Sequence, residues 1–574
     1  MPDPKALLTE RLRAGFDSVD PGADPVLRAS DRADFQANGA LALGKRVGRN
    51  PREVAEAVVA AAVLDDLCDS VEVSGPGFIN LILSEAFLAD QALAMAVDPR
   101  LGTAPPAEPE TVVIDYSAPN VAKEMHVGHL RTTVIGDSLA RSLDFAGHRV
   151  IRENHIGDWG TPFGMLIEHL IDLGESGAVD QLSVNDLDAF YRQARQSFDS
   201  DPGFQERSRR RVVLLQSGDE ETLRLWRMLV AESIRHYDEV YARLGVLLTD
   251  HDIVGESFYN PMLPSVVSDL EALGLLVENE GALCVFPEGF SNRNGDPLPL
   301  IVQKSDGGYG YAATDLAAVR DRVGRLGATR ILYVVGATQS QHLQMVFAVA
   351  RAAGWLPEGV RAEHVSFGNV LGADRKMFRS RSGESVKLAA LLDEAVERAA
   401  SAMGERAAGL EAPERERVAR ALGIGAVKYT DLSTDRSRDY VFDWDRMLAF
   451  EGDTGPYLQY AHARICSIFR RAEVAAPDPA VAPTIADPHE RALVLELLGL
   501  HEALAETIES SSPSRLSAHL FGLASTFTAF YEHCPVLRAP DEETRRSRLL
   551  LADLTARALA LGLGLLGMEA PDRM

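Results

Sequence analysis

Along residues 1 to about 105, apolar side chains recur every three to four positions, the spacing of helices, until "VEVSGPGFINLIL" (71–83) turns to a short strand-like pattern. The Pro-rich "GTAPPAEPE" at 102–110 then interrupts both patterns and reads as a linker, which predicts a small α+β unit before it. From Thr111 the pattern changes. "TVVIDY" has the continuous apolar run of a buried strand, "GHLRTTVIGDSLARSLDFAG" the period of a helix closed by Gly147, and "RVIREN" is a second strand, together a βαβ unit. The same order returns in "RILYVVG", "SQHLQMVFAVARAAGW" and "AEHVSFGNVL", so the middle of the chain is expected to be a parallel-sheet nucleotide fold split into two halves. The helical stretch between them, from "YRQARQSF" to "VYARLGV", reads as an insertion or connecting element. Beyond about residue 450 every segment has helical period, with the Pro-rich "APDPAVAPTIADP" marking a loop at 476–488.

Composition narrows the class. At 574 residues the chain is too long for one core, so two to four domains are expected. A net charge of -26 argues against a polybasic nucleic-acid coat or a membrane-surface protein and requires any RNA partner to meet local basic patches. The amino terminus lacks the basic start and apolar run of a signal peptide, and the apolar "ALALGLGLLGM" (558–568) is too short to span a bilayer. Cys68, Cys284, Cys466 and Cys534 lie far apart with no CxxC pair, which predicts neither a disulfide framework nor a Cys-based zinc site. A soluble, cytoplasmic protein is expected.

The chemistry concentrates in "IDYSAPNVAKEMHVGHLR" (114–131). A strand ends, Pro119 stops regular pairing, and a helix begins near Val127 with its free N–H groups at the carboxyl edge of the sheet, where open α/β folds bind ligands. Gly128 would let a ligand approach the backbone, and His126 and His129, three apart, would share a helix face and donate to phosphate oxygens. The competing readings are a pair of surface histidines or half a zinc site, for which no further ligands are evident nearby. Two other motifs are set aside. "GALALGKR" (39–46) matches the first seven places of a P-loop, but Arg46 replaces the magnesium-binding hydroxyl and no strand is expected before it. "RSRRR" (207–211) reads as a solvated face, or at most a nucleic-acid contact.

"HVGH" at 126–129 resembles the HIGH signature of class I aminoacyl-tRNA synthetases, and the string around it resembles the arginyl-tRNA synthetases in particular. The resemblance extends over "ENHIGDWGTPFGML" (153–166), "VGESFYNPML" (254–263), "KSDGGYGYAATDLA" (304–317), "VKYTDLSTDRSRDYVFDWDRMLAFEGDTGPYLQYAHARI" (427–465) and the terminal Arg573 and Met574, nearly the whole chain. "KMFRS", Lys376 to Ser380, is similar to the family's KMSKS loop, with Arg379 at the usual second lysine, a planar fork for a compact ammonium.

The resemblance implies an α/β multidomain protein: a tRNA-binding, D-loop-recognising α+β domain at 1–105, a Rossmann-like class I catalytic domain with a connecting insertion at 106–450, and an all-α anticodon-binding domain at 451–574. It implies an arginine–tRNA ligase that uses ATP with Mg²⁺, L-arginine and tRNA(Arg), works as a monomer without a membrane, and carries no tightly bound structural metal. Lys123, His126, His129, Lys376 and Arg379 would carry catalysis; His126, Gly128, His129, Lys376 and Met377 would bind ATP. Asp115 and Asn120 would meet the amino and carboxylate end of arginine, while Tyr311, Asp315 and Gln339 would line its side-chain pocket. The chemistry of the ligand agrees, since a guanidinium is best matched by a carboxylate fork, and Tyr311 and Asp315 stand four apart at the start of an expected helix. Two further readings stay open: a paralogue that activates arginine outside translation, and a dead copy that only holds tRNA, against which the intact flanking domains and signature residues count.

Overall fold

The computed structural model describes residues 4–30, 32–183, 187–292, 294–379, 385–404, 409–474 and 482–574, with the backbone alone for 175–183. Ser380 and the first part of the Pro-rich stretch 476–488 lie outside the described residues.

The chain opens with α1 (Pro4–Asp17), β1 (Leu27–Ala29), β2 (Phe35–Ala37), α2 (Gly39–Val47), α3 (Pro51–Ala61), β3 (Cys68–Ser74), β4 (Phe78–Leu83) and α4 (Glu85–Val97). The strands form an antiparallel sheet in the order β1-β2-β4-β3. Its β3–β4 turn runs through Gly75 and Gly77 at φ 52° and 130°, conformations that glycine adopts without a Cβ penalty. β1 and β2 are absent from the sequence reading because three residues are too few to show alternation. "GALALGKR" is the helix α2, but a strand, β2, does precede it, contrary to expectation. What rules out a P-loop is that its glycines lie inside a helix.

β5 (Thr111–Asp115), α5 (Gly128–Ala146) and β6 (Arg149–Glu153) form the expected βαβ unit, with Gly147 closing α5 at φ 104°. The insertion is helical: α6 (Pro162–Ser183), α7 (Leu187–Ser200), α8 (Pro202–Ser217) and α9 (Glu220–Leu244). After α10 (Leu263–Ala272) comes a small antiparallel sheet of β7 (Val277–Asn279), β8 (Ala282–Val285) and β9 (Leu300–Gln303), which the sequence patterns do not announce. α11 (Tyr311–Gly324), β10 (Arg330–Tyr333), α12 (Ser340–Ala352) and β11 (Arg361–His364) complete a parallel sheet in the order β11-β10-β5-β6. Successive side chains of a strand point to opposite faces, so Val112 and Ile114 pack into one core with α5 while Val113 packs into another with α11 and α12.

The remainder holds β12 (Val370–Leu371), α13 (Leu388–Met403), α14 (Ala412–Ser433), β13 (Tyr440–Val441) and α15 (Trp444–Met447), then an all-helical part: α16 (Gly455–Ala472), α17 (Pro488–Leu498), α18 (Leu500–Glu509), α19 (Ser514–His533) and α20 (Glu542–Leu565). The apolar run near the carboxyl end is the inner face of α20, with Leu559 and Leu563 fully buried. Among the described residues no helix is long and apolar enough to cross a membrane.

The parts are bonded to one another. Arg557 of α20 donates to the carbonyls of Ala96 and Asp98, Arg491 of α17 pairs with Asp34, and Arg131 of α5 forms a buried pair with Asp431 of α14 at 3.3 Å. "RSRRR" is largely occupied within the fold: Arg207 and Arg211 of α8 both bind Glu168 of α6.

Candidate active site

Register sets Tyr333, Asp115 and Glu153 side by side at the carboxyl ends of β10, β5 and β6. Arg322 of α11, fully buried, ties the row together: its Nη2 donates to Asp115 Oδ2 and its Nε to Glu153 Oε2, each at 2.7 Å, with the guanidinium 4.8 Å from the centre of the Tyr333 ring. Asp115, expected to meet the amino and carboxylate end of arginine, thus has a partner within the protein. One of its oxygens is spent on Arg322, the residue is 4 % exposed, and only the buried Oδ1 lacks a protein partner. Glu153→Gln is expected to lower stability by about 1–3 kcal/mol, since Asp115 still holds the other edge of the guanidinium. The check is a lower denaturant midpoint at unchanged slope; an unmoved midpoint would show the pair to be dispensable.

Between β5 and α5 three non-glycine residues, Ser117, Ala118 and Ala122, are left-handed at φ 73°, 47° and 60°. Such residues each cost about 1–3 kcal/mol and persist only where neighbours over-determine them. Here the Ser117 N–H donates to Thr132 Oγ1 at 2.9 Å, Ala118 N–H to Asn154 Oδ1 at 3.0 Å, and Ala122 N–H to Ser233 Oγ at 2.9 Å. Tyr237 donates its hydroxyl proton to the carbonyl of the exposed Asn120 at 2.7 Å. Ser233 and Tyr237 belong to α9, so the insertion holds the signature loop in place. Sequence pattern marked α9 as a helix and carried no sign of this role.

The two histidines meet, though not on a shared helix face as expected. α5 begins at Gly128, and His126 lies before it in an extended bridge opposite Lys387. The rings are 4.1 Å apart between centroids. His129 Nδ1 accepts from the His126 N–H at 3.1 Å, and His126 Nδ1 accepts from the Gly128 N–H at 3.0 Å. A neutral imidazole that accepts at Nδ1 carries its proton on Nε2, so each ring keeps an N–H donor at that nitrogen. Burial lowers the basicity of both: His129 falls to about 3, with His126 and Lys123 adding to the shift, and His126 is lowered against the opposing pull of Asp188. Lys123 itself lies 4.5 Å from the centre of the Tyr191 ring. Gly128 is exposed, and a Cβ there would come within 2.6 Å of the His126 ring.

Lys376–Arg379 of "KMFRS" turn back onto β12. Met377 bridges back to Leu371, Phe378 N–H donates to Val370 O at 3.1 Å, and the Phe378 ring stacks on Phe442 at 4.8 Å. Lys376, Met377 and Arg379 are exposed. Arg379 bridges to Ser385, and the following residues run along the signature: Val127 N–H donates to Val386 O and Leu388 N–H to Met125 O, both at 2.9 Å, while Lys387 pairs with Glu124 at 2.8 Å. The two signatures are thus joined through one strip of backbone.

Tyr311 and Asp315 occupy the first turns of α11 as expected; Tyr311 is 75 % exposed. Asp315 Oδ2 bonds His342 Nε2 of α12 at 2.5 Å, a bond that raises the basicity of His342. Gln339, exposed, ends the turn that leads into α12 three residues before His342. Two acids missing from the sequence reading act on the same space. Asp158, 4 % exposed, accepts from the Ser257 N–H and hydroxyl at 2.8 and 2.6 Å, and burial still raises its carboxyl. Glu256 is pushed up to about 8 by burial, then by Asp158 and Asp315. The trio has one ion pair among the described residues, Asp315 with His342. Burial and the two neighbouring acids keep a proton on Glu256, and a cation placed beside it would favour its release. "VGESFYNPML" and "GDWG" contain Glu256 and Asp158, but nothing in their spacing shows that they face residue 315.

The chain matches three family models: "tRNA synthetases class I (R), catalytic domain" over residues 93–444, "Arginyl tRNA synthetase N terminal domain" over 6–83 and "DALR anticodon binding domain" over 458–574. It is 54 % identical over 581 residues to an arginine–tRNA ligase of Thermobifida fusca, covering 100 % of both chains, and 49 % identical to one of Shigella sonnei, covering 99 % of this chain and 100 % of that one. Its fold is similar to the arginyl-tRNA synthetase of Plasmodium falciparum (TM-score 0.85, 28 % identity, 100 % of each chain) and to that of Thermus thermophilus (TM-score 0.82, 27 % identity, 99 % of this chain and 100 % of that one). Sheet, joined signatures and end-to-end likeness agree: the chain belongs to the class I arginyl-tRNA synthetase family.

Proposed function

We propose that the chain condenses L-arginine with ATP to arginyl adenylate and transfers the arginyl group to the 2′-hydroxyl of the terminal adenosine of tRNA(Arg), in translation. The choice of arginine rests on the Asp158, Glu256 and Asp315 carboxyls, whose mutual repulsion a guanidinium would relieve. In this reading Asp315 takes the planar head of arginine, Tyr311 and Gln339 flank it, Asn120 meets the backbone end, and Asp115 acts through Arg322. The His126 and His129 Nε2–H groups donate to phosphate oxygens as charge builds there, and Lys123, Lys376 and Arg379 supply positive charge. Mg²⁺ enters with ATP as substrate. Residues 1–105 would hold the tRNA D-loop and 451–574 the anticodon, with the work done in the cytoplasm by a monomer. Likeness to ligases over the full length supports this above a paralogue acting outside translation.

The test joins substrate choice to pH. ATP–pyrophosphate exchange, with tRNA present, is expected with arginine and not with lysine; a preference for lysine would defeat the proposal. Because Glu256 without substrate holds its proton up to about pH 8, a guanidinium that favours the carboxylate must expel it. Arginine affinity is therefore expected to rise with pH, by up to about tenfold per unit for one proton released, and to level off above about 8. Calorimetry in buffers of different ionisation enthalpy counts that proton, and Glu256→Gln is expected to flatten the slope. A slope unchanged in that variant would remove Glu256 from the pocket.

A further inference from the structure

The last residues of the chain are stitched to the helical domain through their carbonyls. Lys428 Nζ donates to Gly567 O at 2.6 Å, Gln459 Nε2 to Glu569 O at 2.8 Å, and Arg470 Nη1 to Asp572 O at 2.9 Å. His462 joins the series with its Nδ1 at 3.1 Å from Pro571 O. A ring nitrogen facing a carbonyl oxygen must carry the proton, so His462 Nε2 is left with a lone pair. His462 is 6 % exposed, and Cys466 Sγ lies beside its ring, 3.8 Å from Nε2 and 3.9 Å from Nδ1. Asp572 Oδ1 lies 3.8 Å from the same sulfur. Nitrogen, sulfur and oxygen all fall within 4.8 Å of one another.

The two separations from the sulfur, each 3.8 Å, are close to a coordination edge. Zinc bonds of about 2.3 Å to sulfur and about 2.0–2.2 Å to nitrogen or oxygen, at a tetrahedral angle, set neighbouring donors about 3.6 Å apart. A histidine that donates its other ring N–H to a backbone carbonyl is also the usual support of a metal ligand, because it fixes the tautomer and the plane of the ring. His462 and Cys466, four apart on α16, share one helix face. The widely spaced cysteines rule out a Cys–Cys framework, not a mixed site whose third donor comes from the chain's last residues. A second His/Cys/Asp group, Asp487, His489 and Cys534, is weaker on the same grounds: Asp487 Oδ1 is already bonded by His489 N–H and Nδ1, both at 2.8 Å, in capping α17.

We propose that His462 Nε2, Cys466 Sγ and Asp572 Oδ1 form a three-donor site for a zinc-class divalent cation, with the fourth position open to water, which clips the carboxyl-terminal tail to α16. Imidazole, thiolate and carboxylate together select a borderline-soft ion over Mg²⁺ or Ca²⁺.

The test uses the full-length protein stripped with chelator. Zn²⁺ is titrated against a chromophoric chelator, and Co²⁺ is added to read the near-ultraviolet thiolate-to-cobalt band. One ion per chain, with the band present, is expected for the parent. Cys466→Ser is expected to lose the band and His462→Gln to weaken binding by about 10–100-fold. Asp572→Asn, at an exposed position, is expected to weaken it as well, and Zn²⁺ is expected to slow carboxypeptidase trimming of the parent but not of Cys466→Ser. Cys534→Ser is expected to bind as the parent does. Absence of the band in the parent, or its survival in Cys466→Ser, overturns the proposal; its loss in Cys534→Ser alone moves the metal to the other group and overturns it equally.

Discussion

Asp315→Asn is expected to lower kcat/KM for arginine by a factor of tens to thousands while leaving the KM for ATP nearly unchanged. The substitution keeps the size of the side chain and removes the charge proposed to face the guanidinium, and losing one partner of a desolvated charged pair costs on the order of 2–5 kcal/mol. A second readout separates this from a disturbed fold. Asp315 is one of the charges that raise Glu256, so its removal is expected to shift the pH at which arginine affinity levels off downward from about 8. The parent pocket is expected to reject lysine, whose ammonium leaves buried acceptors unpaired, and to discriminate poorly against canavanine, which has nearly the same shape. A variant that activates arginine as well as the parent places the side-chain pocket elsewhere.

His129→Ala is expected to depress adenylate formation by about 10²–10³-fold, the usual loss for one preorganised donor at developing charge, with little change in arginine affinity. The size of the effect follows from the state of the ring. Burial keeps His129 neutral across the working pH range, and the bond accepted at Nδ1 leaves the proton on Nε2, so a donor is in place before the phosphate charge develops. Its Nδ1 also anchors the His126 backbone, so His129→Asn, which restores a donor, is the companion variant and is expected to recover part of the loss. Single-turnover exchange at saturating tRNA measures it. A parent-like rate in the alanine variant would take His129 out of the mechanism.

How much of the site was legible depends on the distance over which each feature is decided. The βαβ units, the helix closed at Gly147 and the all-helical carboxyl part follow from apolar period and from glycine, properties of neighbouring residues. Gly128 shows the limit within four residues: its presence is plain in "HVGH", but whether it spares room for a ligand or for the His126 ring depends on where that ring folds. Asp115 shows it across the sheet, since a carboxylate at a strand end looks available until Arg322, 207 residues on, closes over it.

The sequence alone determined the βαβ units and the long helices, the two signatures and the acid at position 315, because strand and helix period and short motifs are written in local spacing. Tertiary structure decided the rest. It brought Asp158, Glu256 and Asp315 from three separate segments into one space, set Thr132, Asn154 and, from α9, Ser233 around the signature loop so that three left-handed residues hold, and ran Ser385–Lys387 from one signature onto the other. Burial and long-range pairing fix a carboxyl's proton and a loop's shape, and neither quantity exists until the chain has packed.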